Sequence, residues 1–247
     1  MAGSEAIIEI RPLTALADLS QAFDLQRRIW GFADVDLLPL RFFVVASKLS
    51  SQVFGAYHQT KMIGFCLGVP GMQPDGRSYL HSHMLGVLPE CRDMGVGLRL
   101  KLRQRAEALA AGLELVEWTF DPLEPKNAFF NLERLGAVTR QYVENAYGTT
   151  SSPLHGGLPT DRCVAEWWIA TPRVEAILSG KQVERSATER ICVPLEIDRI
   201  RREHPERARE IQRANAARFQ SCFERGLAAT GVETTALDAV YLLEPWR

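Results

Sequence analysis

The sequence predicts an α/β fold, a mixed β-sheet with helices on both faces, and three observations predict it. Val53–His58 and Met62–Val69 are apolar, strand-length runs joined at Gln59-Thr60-Lys61, a hairpin-length connection that makes them an antiparallel pair. Tyr79–Val87, Gly95–Ala111 and Leu113–Phe120 read as strand, helix and strand, a βαβ unit whose strands are parallel with a right-handed crossover. The whole order from Ala6 to Gly148 is β-α-α-β-β-β-α-β-α-β, which interleaves helices with a sheet that is partly parallel and partly antiparallel.

The elements follow in order. Ala6–Ile10 is a first strand stopped by Pro12. Thr14 can cap a helix from Ala15 to Trp30, with Leu16, Leu19, Phe23 and Gln26–Trp30 at helical spacing, and Gly31 ends it. Pro39 starts a short helix through Ser50. After the hairpin and a Gly/Pro/Asp loop comes Tyr79–Val87. The helix Gly95–Ala111 turns Leu98, Leu102, Ala106 and Leu109 inward and is closed by Gly112. Asn127–Leu135 is a short helix closed by Gly136, and Val138–Ala146 another strand. Thr149–Pro159 is rich in Ser, Thr, Gly and Pro and reads as a loop. Cys163–Ile169 extends the same sheet, Pro172–Arg190 is a polar surface connection, and Ile191–Ile197 a strand. Pro205 suits the first turn of a helix to Arg225, with Ala208, Ile211, Asn215, Phe219 and Cys222 on one stripe, and Val240–Leu243 is the last strand. The expected domains are 1–170, a connection over 171–190, and a C-terminal β-α-β extension over 191–247.

Composition narrows the class. A net charge of −1 gives no global attraction to nucleic acid or acidic membranes. Five scattered cysteines without a C-x-x-C pair argue against a disulfide framework and a zinc site, and favour a reducing cytoplasm. Met1–Glu5 lacks the basic lead of a signal peptide, and no apolar run approaches the ~18 residues that span a bilayer. The basic helix from Arg201 to Arg225 is interleaved with Glu203, Glu206, Glu210 and Glu224, so a solvated face is preferred to a nucleic-acid surface.

The segment richest in chemistry runs from Leu80 to Leu100. An apolar strand leads through Pro89-Glu90 into Arg92-x-x-Gly95-x-Gly97 at the start of a helix. Glycines at a helix N-terminus leave N–H donors approachable, and the positive end of the helix dipole suits a phosphate or pyrophosphate. A P-loop would need Lys-Ser or Lys-Thr after the glycines, and a dinucleotide fold would need a third glycine where Leu100 stands.

Leu85-Gly-Val-Leu-Pro-Glu90 followed by Arg92-Asp-Met-Gly-Val-Gly97 resembles the signature [Q/R]-x-x-G-x-[G/A] of the GNAT superfamily of N-acetyltransferases. The resemblance covers Ala6 to about Gly148. It implies the GNAT-like acyl-CoA N-acyltransferase fold, with central strands splayed between Val87 and Phe120, and acetyl-CoA as acyl donor in that opening. It further implies that the pantetheine arm bonds the backbone of Leu85, Gly86 and Val87, and that the pyrophosphate meets Arg92, Asp93, Met94, Gly95, Val96 and Gly97. Asn127 resembles a helix-start Asn that contacts cofactor in the family, and Asn131, four residues on, shares its face; an N-cap role for Asn127 is the alternative.

Acyl transfer to an amine needs a base, an oxyanion partner and a proton for the leaving thiolate. The family's usual strand carboxylate is absent from Tyr79–Met84, where His81 and His83 share a face instead. They read as a base or substrate contact, as hydrogen-bonded structural histidines, or as two metal ligands lacking an identifiable third, so no metal is assigned. The family's usual helix Tyr corresponds to Leu132, leaving Tyr142 and Tyr147 as substitutes. Asp121 and Glu124 stand at the C-terminal end of a parallel strand, where they could bind an amine or act as base, or Asp121 could cap a Pro-rich turn. Trp118–Leu123, the Asn helix and Pro159-Thr-Asp-Arg162 resemble a branch of predicted acetyltransferases with a C-terminal extension.

The leading reading is an N-acetyltransferase acting on a small-molecule or peptide amine. The alternative is a degenerate CoA-binding protein with a sensing or interaction role. Dimerisation through Trp167-Trp168 or the 205–225 helix stays open.

Overall fold

The structure, a computed structural model, describes residues 8–49, 51–148 and 157–246. Met1–Glu5, part of the expected first strand, Ser50, and most of the 149–159 loop lie outside those residues. The fold is mixed α/β, in two compact units, Met1–Val116 and Glu117–Arg247.

In the first unit β1 (Ile8–Pro12), β2 (Gln52–His58), β3 (Lys61–Met72) and β4 (Ser78–Val87) lie in that order, each antiparallel to the next. The β2–β3 connection is tight, with His58 opposite Lys61 and Gln59 at φ 56°. Helices α1 (Leu16–Trp30) and α2 (Leu40–Ala46) bury Leu19, Ala22, Leu25, Ile29 and Phe43 in a core shared with Phe54, Phe65 and Leu67. The α1 cap is Ala15, without a side-chain bond, so Thr14 does not cap it; Gly31 ends the helix in the left-handed region.

Helix α3 (Val96–Ala110) packs through a different face from the expected one. Val96, Leu100, Lys101, Gln104 and Ala108 are buried, whereas Leu102 and Leu109 are exposed. Both stripes have helical spacing. Burial follows the stripe that carries a lysine and a glutamine because Ser82 on β4 supplies polar partners: Lys101 Nζ donates to Ser82 Oγ at 2.8 Å, and Ser82 Oγ donates to Gln104 Oε1 at 2.8 Å.

In the second unit β5 (Leu115–Phe120), which begins in the first, leads to α4 (Pro125–Ala128) and a π-helical turn, Phe129–Arg134. Then come β6 (Val138–Val143), β7 (Arg162–Trp168), α5 (Pro172–Leu178), β8 (Glu189–Pro194), α6 (Ile197–Glu203), α7 (Pro205–Glu224), β9 (Leu227–Thr234) and β10 (Asp238–Pro245). The strand order is β5-β7-β6-β9-β10-β8.

Three features depart from expectation. The 171–190 connection contains α5, started by Pro172 and anchored by buried Val174. The C-terminal extension holds an additional helix, α6, and an additional strand, β9. Leu227–Val232 is buried on both faces, so it shows no alternation of apolar and polar residues to mark it as a strand. Helix α7 buries Ala208, Asn215, Phe219 and Cys222 as expected, with Gln212 and Ala216 joining them while Ile211 is only half-buried.

Candidate active site

Strand β4 and the start of α3 carry the first group of candidate residues. Leu88 N–H donates to Ile63 C=O at 2.9 Å, continuing the β3–β4 register. By the alternation of an antiparallel ladder, Gly86 faces β3 with its backbone groups, and those of Leu85 and Val87 point away from β3. A Cβ on Gly86 would stand 2.6 Å from the Trp30 ring, so this glycine is required by packing as well.

Beyond Val87, Pro89–Met94 forms a 3-10 turn that holds Arg92 and Asp93 exposed and Met94 half-buried. Gly95 caps α3 at φ 70°, ψ 13°. A side chain there would have open space around it, so the constraint is backbone conformation rather than volume. Val96 is buried, Gly97 is half-buried, and the first-turn N–H groups of the 15-residue helix lack i−4 partners. An αL glycine cap, N–H donors and the exposed Arg92 guanidinium make a donor set suited to a pyrophosphate.

His81 and His83 are neighbours, with ring centroids 5.9 Å apart and tilted 40°. Desolvation lowers both imidazoles below 6.5; for His81 the nearby His83 and Lys101 charges add to the effect. Both rings are therefore predominantly neutral at pH 7, the form a base requires. Among the described residues no three His, Cys, Asp or Glu side chains are grouped to hold a metal ion.

The second unit places the remaining candidates differently from their sequence spacing. Asp121 is half-buried, and both its oxygens are engaged: Oδ1 accepts from Leu123 N–H at 2.8 Å and Oδ2 from Arg201 Nη2 at 2.9 Å. This commits Asp121 to the turn after β5. Tyr142 donates its hydroxyl to Asp161 Oδ2 at 2.7 Å and stacks on Phe219 with centroids 5.8 Å apart. Burial and the Asp161 carboxylate push its phenol well above 10, which disfavours release of that proton.

Asn127 is the third residue of α4, exposed; the cap position belongs to Glu124 and Pro125 starts the helix. Asn131 is buried and accepts from Trp118 Nε1 at 3.2 Å. Asn127 is thus exposed and Asn131 buried, and between them the helix passes from α to π geometry, as in Leu135 N–H to Phe130 C=O at 3.1 Å. Leu132 is fully buried.

Two groups escaped the sequence reading or were underweighted by it. Glu117 is half-buried on β5, and burial followed by the Glu166 charge raises its carboxyl. Its residue type and strand alternation with Thr119 were visible, but nothing in the sequence shows that this face of β5 meets Glu166 of β7. Tyr147 brings its hydroxyl to 2.7 Å from Thr119 Oγ1, with the Arg162 guanidinium 5.4 Å from its ring centroid. Exposed by half, it is the more accessible phenol.

Comparison with known proteins follows this geometry. Residues 17–137 match the family model described as acetyltransferase (GNAT) family. No curated protein sequence matches the chain. Among solved structures, NAA60 of Arabidopsis thaliana, in complex with a bisubstrate analogue, aligns at TM-score 0.54 and 13% identity over 66% of this chain and 98% of that one. The ribosomal-protein-S18-alanine N-acetyltransferase of Escherichia coli aligns at TM-score 0.52 and 17% identity over 67% of this chain and 96% of that one. An acetyltransferase of GNAT family from Streptococcus pneumoniae aligns at TM-score 0.51 and 15% identity over 65% and 98%. At these identities the likeness is one of fold. Residues 17–137 thus match an acetyltransferase domain of the GNAT family, and the neighbouring structures share its fold.

Proposed function

We propose that this chain transfers an acetyl group from acetyl-CoA to a primary amine of a small molecule or peptide. The observation that carries the reading is the strand-to-helix junction at residues 85–97. It combines outward-facing backbone at Leu85 and Val87, exposed Arg92, and the αL Gly95 cap ahead of Val96 and Gly97. The backbone groups of Leu85 and Val87 suit the amide-rich pantetheine arm, while Arg92 and the helix start at Gly95–Gly97 suit the pyrophosphate. Gly86 packs against Trp30 and Met94 against the core at this junction, Asp93 is exposed beside Arg92, and in the second unit Asn127 is exposed while buried Asn131 supports its own helix through Trp118.

For the chemical step, His83 and His81 of the first unit supply neutral imidazoles that can accept the amine proton near neutral pH; within the second unit, Glu117 carries a carboxyl of raised proton affinity. Of the two candidate phenols in the second unit, Tyr147 is the more exposed and Tyr142 is held by Asp161. The absence of a β4 carboxylate and the presence of Leu132 favour a second reading, CoA binding without transfer.

The test is a thermal shift with acetyl-CoA, NAD and ATP, followed by thiol release across an amine panel that includes free peptide N-termini. Stabilisation by acetyl-CoA alone with amine-dependent thiol release supports transfer. Stabilisation without release from any amine supports the second reading, and no response to millimolar acetyl-CoA sinks both.

A further inference from the structure

Strand β8 is the last in the strand order of the second unit and pairs with β10 alone. Ile191 lies opposite Tyr241 and Val193 opposite Ala239, and the ladder runs on past the strand, with Leu195 N–H donating to Leu237 C=O at 2.8 Å. By the alternation of an antiparallel pair, Glu189, Ile191 and Val193 turn their backbone groups to β10, so those of Arg190 and Cys192 point outward from the edge. Helix α7 packs on the face that carries Ile191 and Tyr241, with the Phe219 ring 5.0 Å from that of Tyr241. Two of its side chains reach round to the edge. Asn215 Nδ2 donates to Cys192 C=O at 3.1 Å, and Arg218 Nη2 donates to Arg190 C=O. These are the two carbonyls that the register turns outward. Arg225 Nη2 adds a 2.8 Å bond to Glu189 Oε1. The outward N–H groups of Arg190 and Cys192 have no partner among the described residues, both residues are exposed, and Pro194 has no N–H.

We propose that the outer edge of β8 is a self-complementary pairing surface for a second copy of this chain, and that Asn215 and Arg218 of α7 keep it closed. A strand edge is a template for another strand, because it presents N–H and C=O groups that a second backbone can satisfy. Residues 190 and 192 lie symmetrically about Ile191. A second β8 arriving antiparallel, on a two-fold axis through Ile191, sets Arg190 against the partner's Cys192 and Cys192 against the partner's Arg190. That register forms four N–H to C=O bonds, two donated by each chain, and it is isologous, so it stops at a dimer. In the wild-type chain both carbonyls already accept from α7. A paired strand runs about 4.8 Å from its neighbour. The Asn215 amide, 3.1 Å from the Cys192 carbonyl, stands in that space, and Asn215 is 6% exposed, so the helix holds it there. Each new bond then displaces one already made, and little net gain is left for pairing.

The experiment uses the full chain as wild type, as the double variant Asn215→Ala with Arg218→Ala, and as that double variant carrying Cys192→Glu or Cys192→Lys. Sedimentation equilibrium gives the association constant, and amide hydrogen exchange is read at Arg190 and Cys192 across protein concentrations. The double variant is expected to associate at least tenfold more tightly than wild type, into a species of twice the 27.7 kDa chain mass. Its Arg190 and Cys192 amides should slow at least tenfold as concentration rises, while those of wild type do not change. In the two-fold register residue 192 stands opposite the partner's Arg190, so Cys192→Glu should tighten the dimer and Cys192→Lys weaken it, each by about threefold. Those two variants share the same change in α7, so association through a loosened helix would not separate them. A double variant that associates no more tightly than wild type overturns the proposal. So does tighter association with the two amides unprotected, or with the Glu and Lys variants alike. Concentration-dependent protection of these amides in wild type shows the edge open and overturns the closing role of α7.

Discussion

Lys101→Met is expected to remove a pH dependence of stability between pH 7 and 8.5. Lys101 is 2% exposed on α3, with its ammonium against Ser82 Oγ at 2.8 Å and Gln104 Oε1 at 3.3 Å. Burial lowers it from 10.5 to about 7, a shift only partly opposed by Cys66. Between these values the unfolded chain holds a proton that the folded chain has released. Stability therefore rises with pH through this window, is complete above 10.5, and is lost as pH falls through 7. Each pH unit is worth about 1.4 kcal/mol. Allowing for half-protonation of the folded state at pH 7, the gain from pH 7 to 8.5 is about 1.6 kcal/mol. His81 and His83 titrate below this interval, and Cys66, pushed up to about 12 by burial, stays a thiol in the folded chain throughout it. Urea unfolding of wild type and Lys101→Met at both pH values gives the difference directly. At pH 7 the variant should be close to wild type, because the Ser82–Gln104 bond at 2.8 Å survives and the buried charge is gone. Equal pH slopes in the two proteins, within about 0.5 kcal/mol, would refute the reasoning.

Leu100→Ala should cost about 2–5 kcal/mol and Leu102→Ala less than about 1 kcal/mol, since the first is fully buried and the second 38% exposed; denaturant unfolding that ranks them the other way rejects the assigned face of α3. Gly95→Ala should cost about 1–2 kcal/mol from its φ of 70° alone, read by thermal melting, and should weaken acetyl-CoA binding if the cap lies at the pyrophosphate. Glu117→Gln should lower kcat about 100-fold if Glu117 is the base. Because its carboxyl is raised from 4.5, the wild-type rate should fall with decreasing pH through a value above 4.5; a profile shared by the variant assigns that limb elsewhere. His83→Ala should lower kcat if the imidazole is the base, with the wild-type rate falling below pH 6.5, and an unchanged kcat removes it from the chemistry.

Local signals account for what was legible from the chain itself. The antiparallel hairpin, the order of elements to Val143, the Gly31 and Gly95 caps and the donor-rich junction at 85–97 each depend on residues near one another in sequence. Period, turn chemistry and positive φ are short-range properties, and the match of residues 17–137 to the family follows the same segment. The inward face of α3 was not legible, because two stripes fit the helix and the buried one is polar. Strand β9 was hidden by burial on both faces.

What the sequence alone determined is therefore the α/β class and the candidate acyl-CoA junction, since both are written in neighbouring residues. Only the tertiary structure decided which side chains are occupied. Asp121 is held by Arg201, 80 positions away, Tyr142 by Asp161, and Glu117 meets Glu166 through strand pairing. A carboxylate's availability depends on the charge and desolvation brought to it by distant segments, and no spacing rule carries that information.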